Sequence, residues 1–275
     1  KAIKLRNYMF FKNYLLKEQI KHNSYFIWKS ENKSIKAIKN FKPLNLDLII
    51  GVDNQKNILF KNTINFSNGN FTNNALLWGA RGNGKSSLIK SVFHKIVSTK
   101  KNLKLIQLNK NNIFDIEYIY SILGNYIQYR FIIFIDDLSF EKIDSDYKII
   151  KSTLDGSIQH QPTNIVLYVS SNRRHLMPRD MIDNERSSAI HTDESVEEKI
   201  SLSDRFGLWI GFHKLSQVDY LNIIKAYCHH YKINYDEEIR KKAIQWSLQR
   251  GNRTGRTAWQ YILNIASSEN LKIKI

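Results

Sequence analysis

Residues Gly79-Ala-Arg-Gly-Asn-Gly-Lys85-Ser86 follow the pattern G-x-x-x-x-G-K-[ST]. Glycines at this spacing let successive backbone N–H groups curl round an anion without Cβ clashes. A lysine and a hydroxyl placed at the end of such a turn suit a phosphate tail and its divalent cation. Lys85 would neutralise the β- and γ-phosphates, and Ser86 would ligate Mg²⁺. A second run, Phe131-Ile-Ile-Phe-Ile-Asp136-Asp137, ends an apolar stretch in paired carboxylates. Asp136 would hold the Mg²⁺ through its water shell, and Asp137 would orient or deprotonate an attacking water.

These groups need a scaffold that brings a turn and a strand end together. Ala75-Leu-Leu-Trp78 reads as a short buried strand, and Lys85 to Val97 as a helix, so the glycine turn sits at a strand-to-helix junction. Lys104–Leu108, Phe131–Ile135, Asn164–Val169 and Leu208–Phe212 read as further apolar strands, with a helical stretch at Ile113–Leu123. Short apolar strands alternating with helices imply a parallel sheet covered on both faces. Such a strand presents its last residues at the sheet's carboxyl edge, beside the turn.

After Leu215 the strands stop. Ser216–Tyr231, Asp236–Leu248 and Thr254–Ala266 carry helical periodicity, with Ser216 and Asp236 as N-terminal caps. Ahead of the sheet, Leu5, Met9, Phe11, Leu15 and Ile20 recur at helical spacing among lysines. Three regions follow: a basic helical N-terminal extension over 1–45, a nucleotide-binding domain over 46–213, and a helical lid subdomain over 214–275.

The 275 residues carry a formal charge of +17. Residues 1–45 hold 11 basic and 2 acidic side chains, residues 46–213 hold 20 and 18, and residues 214–275 hold 11 and 5. The excess therefore sits at the two ends. Nucleic acid or an acidic partner fits those ends, with Tyr8, Phe10, Phe11, Tyr14 and Trp28 interleaved for stacking. A lysine- and isoleucine-rich coding bias is a second origin for the same charge. No apolar run has the roughly 20 residues needed to span a bilayer, and no secretory leader follows Lys1. The single cysteine, Cys228, excludes an intramolecular disulfide and a cysteine-cage zinc site, which points to a cytoplasmic protein. There is no H-E-x-x-H pair and no G-x-S-x-G elbow.

Together the two motifs resemble the AAA+ class of P-loop ATPases. Further stretches carry the resemblance. Leu48-Ile-Ile-Gly51-Val-Asp-Asn-Gln55 resembles the segment lining the adenine pocket, Val169-Ser-Ser-Asn172 the sensor-1 strand end, Ser201-Leu-Ser-Asp-Arg205-Phe-Gly207 the arginine-finger box, and Gly251-Asn-Arg-Thr-Gly-Arg256 the sensor-2 helix start. Over roughly residues 46–267 the chain is similar to an uncharacterised bacterial family of AAA+ ATP-binding proteins. The resemblance implies an α/β fold: a parallel-sheet P-loop NTPase core of αβα type, with the helical lid behind it and the helical extension ahead.

It also implies site residues. Gly79, Ala80, Arg81, Gly82, Asn83, Gly84, Lys85, Ser86 and Ser87 would hold the ATP phosphates, Ile50 and Gly51 the adenine. Asn172 would bind the attacking water or the γ-phosphate. Arg205 would act in trans on a neighbour's nucleotide in a homo-oligomer, with Arg173, Arg174 and Arg186 as rival fingers. Arg256 would close the lid in cis, with Arg253 as its rival.

One residue departs from the broad class, which usually has glutamate where this chain has Asp137. The shorter side chain draws the carboxylate back by roughly 1.5 Å, so Glu141 is the second candidate base. The polar stretch from Met177 to Glu198 reads as an interface or remodelling loop. The expected activity is Mg-dependent ATP hydrolysis coupled to remodelling or loading of a partner. The alternative is a nucleotide-gated binding module with little hydrolysis, such as a nucleic-acid-associated loader or motor.

Overall fold

The computed structural model describes residues 14–141, 145–155, 161–176, 202–268, 270, 271 and 273. A helix α1 (14–22) leads into a hairpin of β1 (Tyr25–Lys29) and β2 (Ser34–Ala37). A 3-10 turn at Leu46–Leu48 precedes α2 (Asp53–Ser67), β3 (Ala75–Gly79) and α3 (Lys85–Val97). Next come β4 (Leu103–Leu108), a 3-10 turn at Lys110–Asp115, α4 (Ile116–Leu123), β5 (Arg130–Ile135), α5 (Ser145–Asp155), β6 (Ile165–Ser171) and β7 (Leu208–Phe212). Three helices close the chain: α6 (Gln217–Tyr231), α7 (Glu237–Gln249) and α8 (Gly255–Ser268).

Among the described residues one sheet holds seven strands in the order β2-β1-β4-β5-β6-β3-β7. Only β1 and β2 pair antiparallel; every other neighbour is parallel. Apolar side chains leave both faces, so β6 is buried along its whole length and β5 along all but its first residue. On one face α3 seats Leu88, Val92, Phe93 and Ile96 against Leu77, Phe134 and Tyr168, with Leu59 and Phe66 of α2 beside them. On the other, Ile116, Ile119 and Leu123 of α4 and Tyr147 and Ile150 of α5 cover Phe131, Ile133, Ile135 and Leu167. Each such side chain contributes about 1.5–3 kcal/mol when fully buried. The αβα core expected from the strand pattern is therefore present.

The N-terminal stretch differs from its helical expectation. Residues 14–22 are helical, but 25–29 and 34–37 are strands, and β1 joins the sheet by pairing parallel with β4. Tyr25-Phe-Ile-Trp-Lys29 alternates buried Phe26 and Trp28 with half-buried Tyr25 and Ile27. All four are apolar or aromatic, so the period-2 signal is lost in the sequence. Trp28, expected to stack on bases, is 3% exposed and donates its Nε1–H to Asp115 at 2.7 Å. Lys104 of β4, 2% exposed, donates to the Asn23 carbonyl at 2.7 Å, and burial pulls its ammonium down to about 8. The junction of α1 and β1 is thus bonded to the core. Tyr8, Phe10 and Phe11 lie outside the described residues.

The last three helices pack on one another around Tyr220, Ile224, Cys228, Ala258 and Ile262. Ser216 and Asp219 form a capping box on α6, and Asp236 caps α7 by accepting from Ile239 N at 2.8 Å. Among the described residues no helix is long and apolar enough to cross a membrane.

Candidate functional site

The parallel register brings three strand ends to within about two residues of one another. Trp78 lies opposite Ser171 and Ile135 opposite Val169, with β6 between β3 and β5. Gly79, Asp136 and Asn172 therefore emerge side by side at the carboxyl edge of the sheet. The glycine turn begins there. Gly79 has φ of +133°, and a Cβ on it would stand 2.0 Å from the Phe212 carbonyl oxygen of β7. No side chain fits, so the turn can leave the strand only with glycine at that point. Gly82, with φ of +80°, faces Thr254 at the start of α8, where a Cβ would come within 2.9 Å of the hydroxyl.

The turn is tied on both sides to the helical subdomain. Asn83 donates its Nδ2–H to the His213 carbonyl at 2.7 Å, in the link between β7 and α6. On the other side, Arg256 N donates to the Gly82 carbonyl at 3.2 Å.

Lys85 is 7% exposed and donates to Gly79 O at 2.7 Å, Ala80 O at 2.9 Å and Asn172 Oδ1 at 3.0 Å. Burial pulls its ammonium down to about 8, opposed by the nearby carboxylates of Asp137 and Asp136. Ser86 Oγ and Ser170 Oγ each donate to Asp136 Oδ1 at 2.5 Å. Asp137 has φ of +55°, accepts from Asn172 Nδ2, and pairs at 3.7 Å with Arg81. Its backbone N–H donates to Ser170 Oγ at 3.0 Å. A non-glycine residue in the left-handed region costs energy and marks a position held by its surroundings. Here those surroundings are Ser170, Asn172 and Arg81. Sequence reasoning singled out Asn172 in the run Val169-Ser-Ser-Asn172 and passed over Ser170, whose hydroxyl bridges Asp136 and Asp137.

These groups open on a cavity of about 900 Å³, within the usual size for a small-molecule site. Arg81, Gly82, Asn83, Gly84, Ser87 and Arg256 line it with Lys85, Ser86, Asp136, Asp137 and Asn172. Leu48, Ile49 and Ile50 form an apolar wall, faced by Tyr227, Tyr231 and Trp259 of the helical subdomain. That aromatic wall was missed in the sequence, although Tyr227 and Tyr231 stand at i, i+4 on one helix face.

Other expected residues lie elsewhere. Gly51 does not line the cavity; it sits beside Leu215 and Asp219, and its neighbour Ile50 does the lining. Glu141 pairs with Arg173 at 2.9 Å, and Arg174 stacks against Trp78 and Trp209 at 5.1 and 4.9 Å. Arg253 lies outside the cavity and donates to Gln217 Oε1 at 3.2 Å. Arg205 precedes β7. The pairs Ala75–Leu208 and Gly79–Phe212 put the start of β7 about 13 Å from the turn along the strands, at the opposite sheet edge. It does not line the cavity. Arg186 and the stretch 177–198 fall outside the described residues.

The donor sets suit the expected ligands. A glycine turn with a desolvated lysine at its end favours a polyphosphate. Ser86 Oγ and Asp136 Oδ1 are adjacent hard oxygens, which suit Mg²⁺ completing its shell with water and phosphate. Among the described residues no group of three or more His, Cys, Asp or Glu is placed to hold a metal alone.

The lowered Lys85 value has a pH consequence. Phosphate oxygens favour the charged ammonium, and the unliganded protein loses that charge above about 8. If the loop holds a polyphosphate, its affinity is expected to fall as pH rises from about 7 to about 9, approaching tenfold per unit at the upper end. Titration of a fluorescent nucleotide across that range checks it, and a flat profile contradicts it. The unfolded chain keeps the same proton up to 10.5, so the stability of the unliganded fold moves the other way, rising with pH above about 8.

A family profile described as "Protein of unknown function (DUF815)" matches residues 21–269. No curated protein matches the chain. Among solved structures, a point variant of Thermotoga maritima RuvB is 19% identical, with a TM-score of 0.51 over 78% of this chain and 62% of that one. Domain III of the Thermotoga maritima replication initiation protein DnaA is 13% identical, with a TM-score of 0.51 over 84% and 91%. A chain of an Escherichia coli MS115-1 HORMA:CdnC:Trip13 complex is 10% identical, with a TM-score of 0.53 over 76% and 78%. The chain spans about three fifths of the RuvB chain it matches. These neighbours are AAA+ P-loop ATPases, and the chain has the αβα fold of that class.

Proposed function

The chain belongs to the DUF815 family, and from that membership, the AAA+ fold and the chemistry of the cavity, we propose that it is an Mg-dependent ATPase that couples hydrolysis to remodelling or loading a partner. The carrying observation is the convergence of Lys85 Nζ, Ser86 Oγ and the carboxylates of Asp136 and Asp137 at the end of one glycine cradle.

Mg·ATP supplies the reactive γ-phosphoryl group and a cation that spreads its charge. The backbone from Gly79 to Ser86 holds the phosphate tail. Lys85 exchanges its bonds to Gly79 O and Ala80 O for phosphate oxygens, which restores full charge to its ammonium. Ser86 and Asp136 orient the cation and its water. Asp137 accepts a proton from the attacking water, with Asn172 fixing the carboxylate's direction. Ile50, Tyr227 and Trp259 sandwich the adenine. Arg256, bonded through its backbone to Gly82, closes the lid as the tail binds. Arg205 reaches a neighbouring copy's γ-phosphate in a homo-oligomer, where it offsets developing charge. The basic N-terminal and lid surfaces engage nucleic acid or an acidic partner. The single buried Cys228 suits a reducing compartment such as the cytoplasm.

The test is phosphate release from ATP by the purified chain, with and without a chelator of divalent cations. The expected result is turnover above a protein-free blank that stops on chelation and returns with Mg²⁺. Nucleotide binding without turnover under both conditions would favour the second reading, a nucleotide-gated binding module. Asp137 in place of the longer glutamate favours that reading.

A further inference from the structure

A second cavity, of about 780 Å³, lies on the outer side of the phosphate loop. Ala80 to Asn83 bound it on one side, Lys214 and Leu215 on another, and the turn from Arg250 to Thr257 on the third. It shares Arg81, Gly82, Asn83, Leu215 and Arg256 with the nucleotide cavity, but Lys85, Ser86, Asp136, Asp137 and Asn172 do not line it.

Five cationic side chains line it, Arg81, Lys214, Arg250, Arg253 and Arg256, and no carboxylate does. Among the described residues the one ion pair involving these five is the 3.7 Å contact of Arg81 with Asp137. Two of the others have neutral partners: Arg250 stacks on the Trp246 ring at 3.6 Å, and Arg253 donates to Gln217. The Arg253 Nε–H is buried with no acceptor. Arg253 is half-buried and the other four are exposed to solvent; because arginine cannot shed its charge, an anion entering the cavity would meet several fixed cations at once. The guanidinium fork matches two oxygens of a phosphate.

The opposite polarity is also represented. Asn83 is 5% exposed, its amide N–H is committed to His213 O, and its Oδ1 is buried with no donor. Asn83 lines this cavity as well as the nucleotide cavity, and a ligand that met both the arginines and its Oδ1 would be an anion that also carries a proton. Hydrogen phosphate does so: its bare oxygens accept from the arginines, and its P–OH donates to Asn83.

We propose that this cavity is a subsite for inorganic hydrogen phosphate, next to the nucleotide tail on the far side of the loop. The role as a receiver for the phosphate released by hydrolysis rests on the ATPase reading; the binding itself does not. Sulfate matches phosphate in shape and charge but has no proton to give at neutral pH. The Asn83 acceptor therefore makes the site prefer phosphate.

Calorimetric titration of the full chain, loaded with Mg·ADP, tests this with sodium phosphate, sulfate and chloride at matched ionic strength. The expected result is one saturable phosphate site, with sulfate weaker by about tenfold or more, the weight of one hydrogen bond left unmade. Arg253→Ala, and separately Lys214→Ala, should each weaken phosphate by about tenfold through loss of a charge-assisted contact. ADP affinity should stay within about twofold, since neither side chain lines the nucleotide cavity.

Equal effects of the three salts would overturn the proposal, as would unchanged phosphate affinity in both variants. Lys85→Ala protein without nucleotide separates this proposal from the ATPase reading. Phosphate binding retained there supports a site outside the loop, even if ADP fails to bind the parent. Phosphate binding lost there, but kept in Arg253→Ala and Lys214→Ala, assigns the anion to the loop and overturns the subsite.

Discussion

Lys85→Ala is expected to lower ATP and ADP affinity by about 100-fold or more while leaving the fold intact. The ammonium is buried at the end of the loop, and its three present acceptors, Gly79 O, Ala80 O and Asn172 Oδ1, are replaced by phosphate oxygens on binding. Each hydrogen bond from a charged donor contributes about 1.5–3 kcal/mol, so two phosphate contacts account for that loss. The unliganded protein loses little, because a desolvated cation at this position already works against folding below pH about 8. Equilibrium titration with a fluorescent nucleotide measures the first effect, and thermal unfolding without ligand checks the second. Affinity within a few-fold of the parent, in a folded variant, would remove the phosphate loop as the nucleotide site.

Asp137→Asn is expected to reduce ATP turnover by about 10²–10⁴-fold, the span attributed to a positioned general base, with nucleotide affinity nearly unchanged. Asparagine keeps the size of the side chain but cannot take a proton. The carboxylate is aimed by Asn172 and by Arg81, so the geometry for binding survives better than the chemistry. Glu141→Gln should change turnover by less than about twofold. Its carboxylate is turned away to Arg173 and is 76% exposed, so its loss removes only a solvated ion pair. Phosphate release under saturating ATP distinguishes the two. If Glu141→Gln abolishes turnover and Asp137→Asn does not, the base has been misassigned.

How far the sequence could be read follows from which signals are local. The glycine turn, its flanking strand and helix, and the acidic end of β5 are each written within a dozen residues, and their contents are specific. The five strands β3 to β7 are short apolar runs that only a two-faced sheet can bury, so their number and parallel sense followed from pattern. The pairing of β1 with β4 is different. It joins residues about 80 positions apart, and nothing in Tyr25–Lys29 states its partner. For α2, the apolar residues Ile58, Leu59, Phe66 and their neighbours are diluted by lysines and asparagines, and the helical stripe is faint. Arg253 and Arg256 were rivals in sequence because they share one turn. Only the packing of that turn against Gly82 lets Arg256 line the cavity at the phosphate loop as well as the outer one, while Arg253 lines the outer one alone.

The seam between β1 and β4 decides how the basic leading segment can be dissected. Cutting the chain back to residue 45 would strip β4 of a neighbour and leave its backbone amides and carbonyls without partners on that flank. It would also uncover the faces that Phe26 and Trp28 now shield. A truncated protein would then fail for reasons of solubility, whatever its polyanion affinity. Charge neutralisation at Lys29, Lys33 and Lys36, which keeps every ladder bond of the hairpin, isolates the electrostatic question from the architectural one.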